Sequence, residues 1–118
     1  MKRNWDLVRA ILLELEGLDT GGTRQHFHVA GYDDLQVGYH VLIMKEAGLV
    51  EAEEITTDLN NPMATPFRLT WLGHEFIEAS KEPSTWEKCK NLAEKAGLFT
   101  LDVAKGILVA LAKDALSK

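Results

Sequence analysis

The sequence predicts an α+β fold in which a small antiparallel β-sheet is combined with helices. Three observations favour this fold: a capped helical segment over residues 33–47, a predicted strand, loop and returning strand after it, and further helical segments with defined ends. With 118 residues, 46% of them hydrophobic and 26% charged, the chain can bury one hydrophobic core. We therefore expect a single domain overall.

The central helix is predicted to begin after Asp33 or Asp34, either of which can cap it, and to stop at Gly48. At about 100° per residue, two opposite sides of this helix carry apolar residues. Only one side can pack on the core of so small a domain, so the helix offers a second apolar surface. The inner side comprises Val37, His40, Val41, Met44 and Ala47. The opposite side, which we name the outer stripe, comprises Leu35, Tyr39, Leu42 and Glu46.

The residues before the central helix predict a helix and a strand. The first helix runs from Asn4, which can cap it, to Gly17, which can stop it. Residues 25–29 then alternate in polarity and predict a short strand with His26 and His28 on one face. Two histidines on one strand face can bind zinc, but no third ligand has a recognisable spacing. A solvated strand face is therefore the preferred interpretation.

A hairpin and another helix are predicted after the central helix. Residues 49–57 predict a strand, residues 58–66 predict a loop, and residues 67–70 predict the returning strand. Thr70 can cap a helix that runs to about residue 81. The buried side of that helix is expected to comprise Trp71, Leu72, Phe76 and Ala79.

Two helices end the chain, one from Pro83 to Gly97 and one that begins after Thr100. The last helix has an apolar arc that is wider than packing on one side requires. We expect it to be buried on two sides, under the rest of the domain or against a second subunit. The arc comprises Leu101, Ala104, Ile107, Leu108, Leu111, Ala112 and Ala115, extended by Val109 and Leu116. The candidate dimer helix is represented by Ile107, Leu108 and Leu111.

The charge is unevenly distributed along the chain. Residues 1–80 carry six basic and thirteen acidic side chains, a net charge of −7, whereas residues 81–118 carry seven lysines and five acids, a net charge of +2. The single cysteine, Cys89, excludes an intrachain disulfide and fits a reducing compartment. No segment has the composition of a signal peptide or the length of a membrane span. The expected location is the cytoplasm, without membrane contact.

The order of the elements resembles a winged-helix domain. KEAGLVE resembles the end of a recognition helix that leads into a wing, and RLTWLGHEFIEAS resembles the last wing strand that leads into the next helix. The usual helix before the recognition helix is absent or reduced to a turn near Gly31 and Tyr32.

The whole chain also resembles a bacterial and phage family known as domain of unknown function 2513. The resemblance lies in MKRNWDLVRAILLELE, GYDDLQVGYHV, EAGLVEA, RLTWLGHEF and the closing helix. It implies a bacterial or prophage origin and a winged-helix-like fold. We expect the winged-helix-like domain to comprise residues 1–82. Residues 83–118 then form a helical extension that packs on this domain or on a second subunit. The resemblance implies no activity and no residue roles.

Two functions are compatible with these features. A DNA-binding transcriptional regulator of the winged-helix type needs several Lys or Arg contacts to phosphates, and the acidic charge of residues 1–80 disfavours it. The preferred hypothesis is an intracellular regulatory or adaptor module that contacts a protein partner or forms a homodimer. Its partner-binding surface is the outer stripe, which is rimmed by acids. Alternatively, the C-terminal helices fold back over this stripe and complete the core.

No catalytic constellation can be assembled from the sequence. His74 and Glu78 are one helical turn apart, but HEFIE lacks the second histidine of the zinc-protease motif. The glycines form neither a P-loop nor a dinucleotide-binding fingerprint. We therefore expect no enzyme activity, no catalytic residues, no metal and no cofactor.

Overall fold

The computed structural model describes residues 1–18, 27–56 and 61–117, and these ranges contain five helices and one two-stranded antiparallel sheet. The predicted α+β fold class is therefore confirmed. The chain divides into two compact units, Met1–Glu75 and Phe76–Lys118. In chain order the elements are α1 (Trp5–Glu16), α2 (Asp34–Glu46), β1 (Val50–Thr56), β2 (Pro62–Leu69), α3 (Trp71–Ser80), α4 (Pro83–Ala96) and α5 (Leu101–Leu116).

The ends of α1 and α2 are fixed by local side-chain chemistry. The Asn4 side chain accepts a hydrogen bond from the Leu7 N–H at 3.2 Å and caps α1. Asp33 accepts from the Gln36 N–H at 2.8 Å, and the Gln36 side chain accepts from the Asp33 N–H, which completes a capping box at α2. Gly48 follows α2 with φ +80, a conformation that favours glycine. These predicted helix ends are confirmed.

The hairpin is longer than predicted, because β2 begins at Pro62 inside the predicted loop 58–66. A bulge lies between Glu51 and Ala52, and Ala52 faces Pro66 directly after it. Proline lacks the N–H that a sheet ladder uses, so it is tolerated in edge strands and at bulges. Both strands of a two-stranded sheet are edge strands, which is why the two prolines do not end β2.

The prediction of a strand over residues 25–29 is wrong for residues 27–29, which are the part of this range that the structure describes. Residues 27–29 are not in a strand, and residues 25 and 26 lie outside the described ranges. The Val29 carbonyl accepts a hydrogen bond from the Tyr32 N–H at 3.3 Å, so the chain turns there toward α2. Alternating polarity produces a strand only where a neighbouring strand supplies hydrogen-bond partners, and the sheet of the described chain consists of β1 and β2.

The first unit has a core in which α1 packs on α2 and β2, and α2 packs on both strands. The start of α3 is held closely to the end of α2: the Thr70 hydroxyl donates to the Gly48 carbonyl and accepts from the Gly73 N–H. A Cβ atom at Gly73 would lie 2.1 Å from the Leu49 carbonyl oxygen, so this approach requires glycine. The buried apolar residues of the helices and strands in this unit include Leu7, Val8, Ile11, Leu12, Val37, Val41, Met44, Val50 and Leu69.

The second unit is built around aromatic rings and the packing of α4 on α5. The Trp86 ring lies 6.2 Å from the Phe76 ring and 6.0 Å from the Phe99 ring, measured between centroids. Gly97 ends α4 in the left-handed conformation, with φ 72, as its predicted position as a helix stop requires. Cys89, Ala93, Ala104 and Leu108 are also buried in this half of the chain.

The predicted buried side of α3 is wrong in part. Trp71 is 81% exposed and Ala79 is exposed, because the buried side of α3 consists of Gly73, Phe76, Ile77 and Ser80, from which Trp71 points away. In the wide arc of α5 only Ala104 and Leu108 are buried, whereas Leu116 is 86% exposed. None of the helices in the described ranges combines the length and the apolar character that crossing a membrane requires.

Candidate functional site

The four residues of the outer stripe lie along one side of α2. They are spaced by four, three and four positions, which keeps them within about 60° around a helix axis. Leu35 is 46% exposed, Tyr39 and Leu42 are half-buried, and Glu46 is exposed. The stripe is therefore continuous, and its most accessible apolar side chain is Leu35.

The inner side of α2 is core, as predicted, except at Ala47, which follows the helix end and is exposed. His40 is fully buried: its Nε2 accepts a hydrogen bond from the Asn4 N–H at 2.8 Å, and its Nδ1 donates to the Gln36 carbonyl at 2.8 Å. These two bonds require the neutral imidazole with its proton on Nδ1. Burial lowers the pKa of His40, against the hydrogen bond to Gln36, which raises it. His40 therefore joins α1 to α2 and is not a reactive group.

Two cations of the described residues near the hairpin, Arg68 and Lys45, are bound by glutamates of β1. Arg68 donates two hydrogen bonds to the Glu51 carboxylate, at 2.7 and 2.9 Å, and the Lys45 ammonium lies 3.3 Å from the Glu54 carboxylate. Such exposed pairs contribute little to stability, but they neutralise the positive charge. Within residues 27–56 and 61–75 these two cations face seven acidic side chains, a net charge of −5. The surface that contains α2 and the hairpin is therefore acidic.

A groove of about 400 Å³ lies between the first half of α2 and the hairpin. Its lining includes the apolar residues Val37, Ile55 and Met63 and the acidic residues Asp34 and Glu53. Sequence reasoning missed this groove because its walls are far apart in the chain. The available signals were an isoleucine at the end of a glutamate-rich strand and a glycine, Gly38, inside a helix.

The remaining candidate residues lie elsewhere. Leu108 of the candidate dimer helix is buried, while Ile107 and Leu111 are half-buried. The side chain of His28 is exposed, with Nδ1 3.2 Å from an Asp34 carboxylate oxygen, and His26 lies outside the described residues. Among the residues that the structure describes, no group of three or more His, Cys, Asp or Glu side chains could hold a metal ion.

Two further side chains bear on reactivity. Cys89 is fully buried, its Sγ lies 3.9 Å from the Ala104 carbonyl oxygen, and burial raises the pKa of its thiol. A buried thiol with a raised pKa is a poor nucleophile, so Cys89 has a structural role. Trp71, which was expected in the core, is instead an exposed aromatic whose Nε1 donates to the Glu75 carboxylate. Its position in the first turn of α3, away from the apolar side, was the signal that sequence reasoning overlooked.

Comparison with known proteins places the chain in a family. The family model described as "Hypothetical protein (DUF2513)" matches residues 2–99. The chain is 35% identical over 109 residues to an "Uncharacterized protein" of Haemophilus influenzae (strain ATCC 51907 / DSM 11121 / KW20 / Rd), and the alignment covers 91% of this chain and 92% of that relative. No solved structure matches the chain with significant similarity. Because the family match extends over most of the residues, the chain belongs to the family described as hypothetical protein (DUF2513).

Proposed function

We propose that this chain is a non-catalytic regulatory or adaptor module of winged-helix-like architecture that binds another protein through the outer stripe of α2. The observation that carries this proposal is the outer stripe. Leu35, Tyr39 and Leu42 lie along one side of α2, on a surface with a net negative charge. Burial of apolar surface is the main favourable term in most protein association. An apolar patch rimmed by charged groups is a typical protein-binding surface.

The alternative function is a DNA-binding regulator of the winged-helix type. In its favour is the order of elements, in which α2 leads directly into the hairpin and then into α3. Against it stand the two ion pairs, because Arg68 and Lys45 are the Lys and Arg side chains within residues 27–56 and 61–75, and both are bound by glutamates. Contact with phosphates would require breaking these pairs and bringing a polyanion against a net charge of −5.

Affinity capture from an extract of the source organism tests the proposal. The immobilised full chain is compared with Leu35→Asp, which places a charge in the stripe at a position that is 46% exposed. Leu92→Asp in α4 is the matched control, because Leu92 is 43% exposed and lies outside the stripe. Substitutions at such exposed sites leave the fold intact, which circular dichroism verifies.

The expected result is a protein that the wild type and Leu92→Asp retain and that Leu35→Asp loses by about tenfold or more, since a buried charge without a partner costs more than 1.4 kcal/mol. If Leu35→Asp retains the same proteins as the wild type, the stripe is not the binding surface. The homodimer alternative is tested separately by sedimentation equilibrium, in which a dimer mass that Ile107→Asp converts to a monomer mass would support α5 as the interface.

A further inference from the structure

The side of α5 that lies opposite its buried residues is exposed along most of the helix. Ala104 and Leu108 form the buried side, and the Ala104 carbonyl oxygen lies 3.9 Å from the Cys89 Sγ of α4. Four exposed residues lie about 150° around the helix axis from that side, at spacings of four, three and four positions. We name this surface the α5 outer face, and it comprises Asp102, Gly106, Val109 and Lys113.

The centre of the α5 outer face is apolar and open. Val109 is 54% exposed, and a Cβ atom at Gly106 would meet nothing within 4 Å. A second helix can therefore approach the backbone of α5 closely at Gly106. Leu116, which follows Lys113 by three positions, is 86% exposed and lies beside the same face. Covering such apolar side chains with a second apolar surface is favourable.

The two ends of the α5 outer face carry opposite charges. Asp102 lies in the first turn of α5 and Lys113 in its last turn, about 16 Å apart along the helix axis. Neither of these exposed side chains forms an ion pair or a hydrogen bond with any residue that the structure describes. Both charges are therefore available to a binding partner. Because they cancel, the face has no net charge that would attract a polyanion.

These four positions are self-complementary in an antiparallel arrangement. When a twofold axis crosses α5 midway between positions 107 and 108, Asp102 lies opposite Lys113 of the partner subunit. The same axis places Gly106 opposite Val109 of the partner subunit, so a large apolar side chain meets an open position. Twofold symmetry repeats both contacts. A parallel pairing would place like charges opposite each other, so charge complementarity selects an antiparallel second copy.

We propose that α5 pairs with α5 of a second copy of this chain, antiparallel and through the α5 outer face, to form a twofold-symmetric dimer. Two pairs of Asp102 with Lys113 flank a centre in which each Val109 covers a glycine. The interface excludes the predicted dimer residues, which lie on other sides of α5, namely Ile107, Leu108 and Leu111. The inference goes beyond the proposed function, since it concerns α5 and does not depend on the outer stripe of α2.

Sedimentation equilibrium of the full chain tests the inference. The α5 outer face is one side of a helix about 24 Å long, which is small for an interface, so we expect a weak dimer. The measurement therefore covers protein concentrations from about 10 μM to about 1 mM. We expect a reversible equilibrium between monomer and dimer with a dissociation constant within that range.

Charge reversal locates the interface. Asp102→Lys and Lys113→Asp each place like charges opposite each other twice in the dimer, and each is expected to raise the dissociation constant by about tenfold. Lys88→Asp is the matched control, because Lys88 is exposed on α4, and it should leave the dissociation constant unchanged. Circular dichroism verifies that each variant is folded.

An equimolar mixture of Asp102→Lys and Lys113→Asp separates a direct contact from a general effect of charge. In the mixed dimer both pairs again join opposite charges, so we expect the mixture to dimerise with about the affinity of the wild type. A heterodimer of this kind forms only if positions 102 and 113 of the two copies face each other.

The inference is overturned if the chain stays monomeric over the whole concentration range, or if the single charge reversals leave the dissociation constant unchanged. A mixture that dimerises no more tightly than either variant alone also overturns it. Leu35→Asp is measured in parallel and is expected to leave the dimer intact; a monomer would instead place the contact on the outer stripe and refute the α5 interface. Capture of a protein partner by the wild type and its loss by Leu35→Asp test the proposed function alone, so the failure of either proposal is recognised separately.

Discussion

Replacement of His40 by leucine is expected to destabilise the first unit by about 1–3 kcal/mol at neutral pH. The imidazole is fully buried and accepts a hydrogen bond at 2.8 Å from the Asn4 N–H, the residue that caps α1. Leucine removes this acceptor and leaves the partly buried Asn4 N–H without a hydrogen-bond partner. The loss of this hydrogen bond accounts for the expected destabilisation. Leucine is apolar and similar in size, so we expect the change in packing to be a smaller term.

The same substitution is expected to change the pH dependence of stability. Burial lowers the pKa of His40 below its ordinary value of 6.5, so the folded chain excludes a proton that the unfolded chain binds. The stability is fully present above the unfolded pKa and is lost as the pH falls through 6.5 toward the lower folded pKa. Between about pH 7.5 and about pH 5.5 this loss amounts to at most about 1.4 kcal/mol.

Urea denaturation followed by far-UV circular dichroism at both pH values measures the two effects. His74→Leu is the matched control, because His74 is exposed on α3 and its replacement should change the stability by less than about 0.5 kcal/mol. The reasoning is refuted if His40→Leu is as stable as the wild type at the higher pH. It is also refuted if the variant loses as much stability as the wild type between the two pH values.

Further predictions concern the glycines and the thiol. Gly73→Ala is expected to destabilise the chain by about 2 kcal/mol or more, because its Cβ would lie 2.1 Å from the Leu49 carbonyl oxygen. Gly106 lies in α5, and a Cβ added there would have no atom within 4 Å, so Gly106→Ala should instead stabilise the chain by about 0.5–1 kcal/mol in a urea titration. Similar stability changes for the two variants would contradict the close contact between Gly73 and Leu49. Cys89 is expected to react with a thiol reagent such as Ellman's reagent only when the chain is unfolded, since the thiol is buried and burial raises its pKa. Rapid labelling of the native protein would contradict this burial.

Local chemistry explains which elements could be predicted from the sequence. Helix ends depend on a few neighbouring side chains, and Asn4, Asp33 and Thr70 therefore marked the starts of three helices correctly. The start of β2 was missed because proline is a strong local signal against a strand. That signal does not apply at Pro62 and Pro66, which lie in an edge strand and beside a bulge, since both features depend on pairing with β1.

The faces of helices were harder to predict than their ends. Trp71 was predicted in the core because it is a large apolar residue. It is 81% exposed, because it lies on the side of α3 opposite to the buried residues. In α2 the spacing of 100° per residue separated the inner side from the outer stripe correctly, because the buried residues recur at helical spacing along the whole helix. Periodicity alone does not indicate which apolar sides are covered, and the wide arc of α5 is an example, with Leu116 86% exposed.

The groove could not be predicted because it is a non-local feature. It requires the register of the hairpin and its distance from α2, and both arise from tertiary packing. The close packing of α2 on β2 depends in part on Gly38, where a Cβ would lie 2.5 Å from the terminal carbon of Met63. The sequence did indicate the charge of this surface, which is independent of the detailed packing.

The central proposal is that the surface formed by α2 and the hairpin binds a polypeptide and does not bind DNA. Fluorescence anisotropy of a labelled generic duplex, titrated with the full chain at several salt concentrations, tests it most directly. We predict no binding at physiological ionic strength, because Arg68 and Lys45 are held by Glu51 and Glu54. Micromolar binding that weakens steeply with added salt would contradict the claim and favour the DNA-binding regulator.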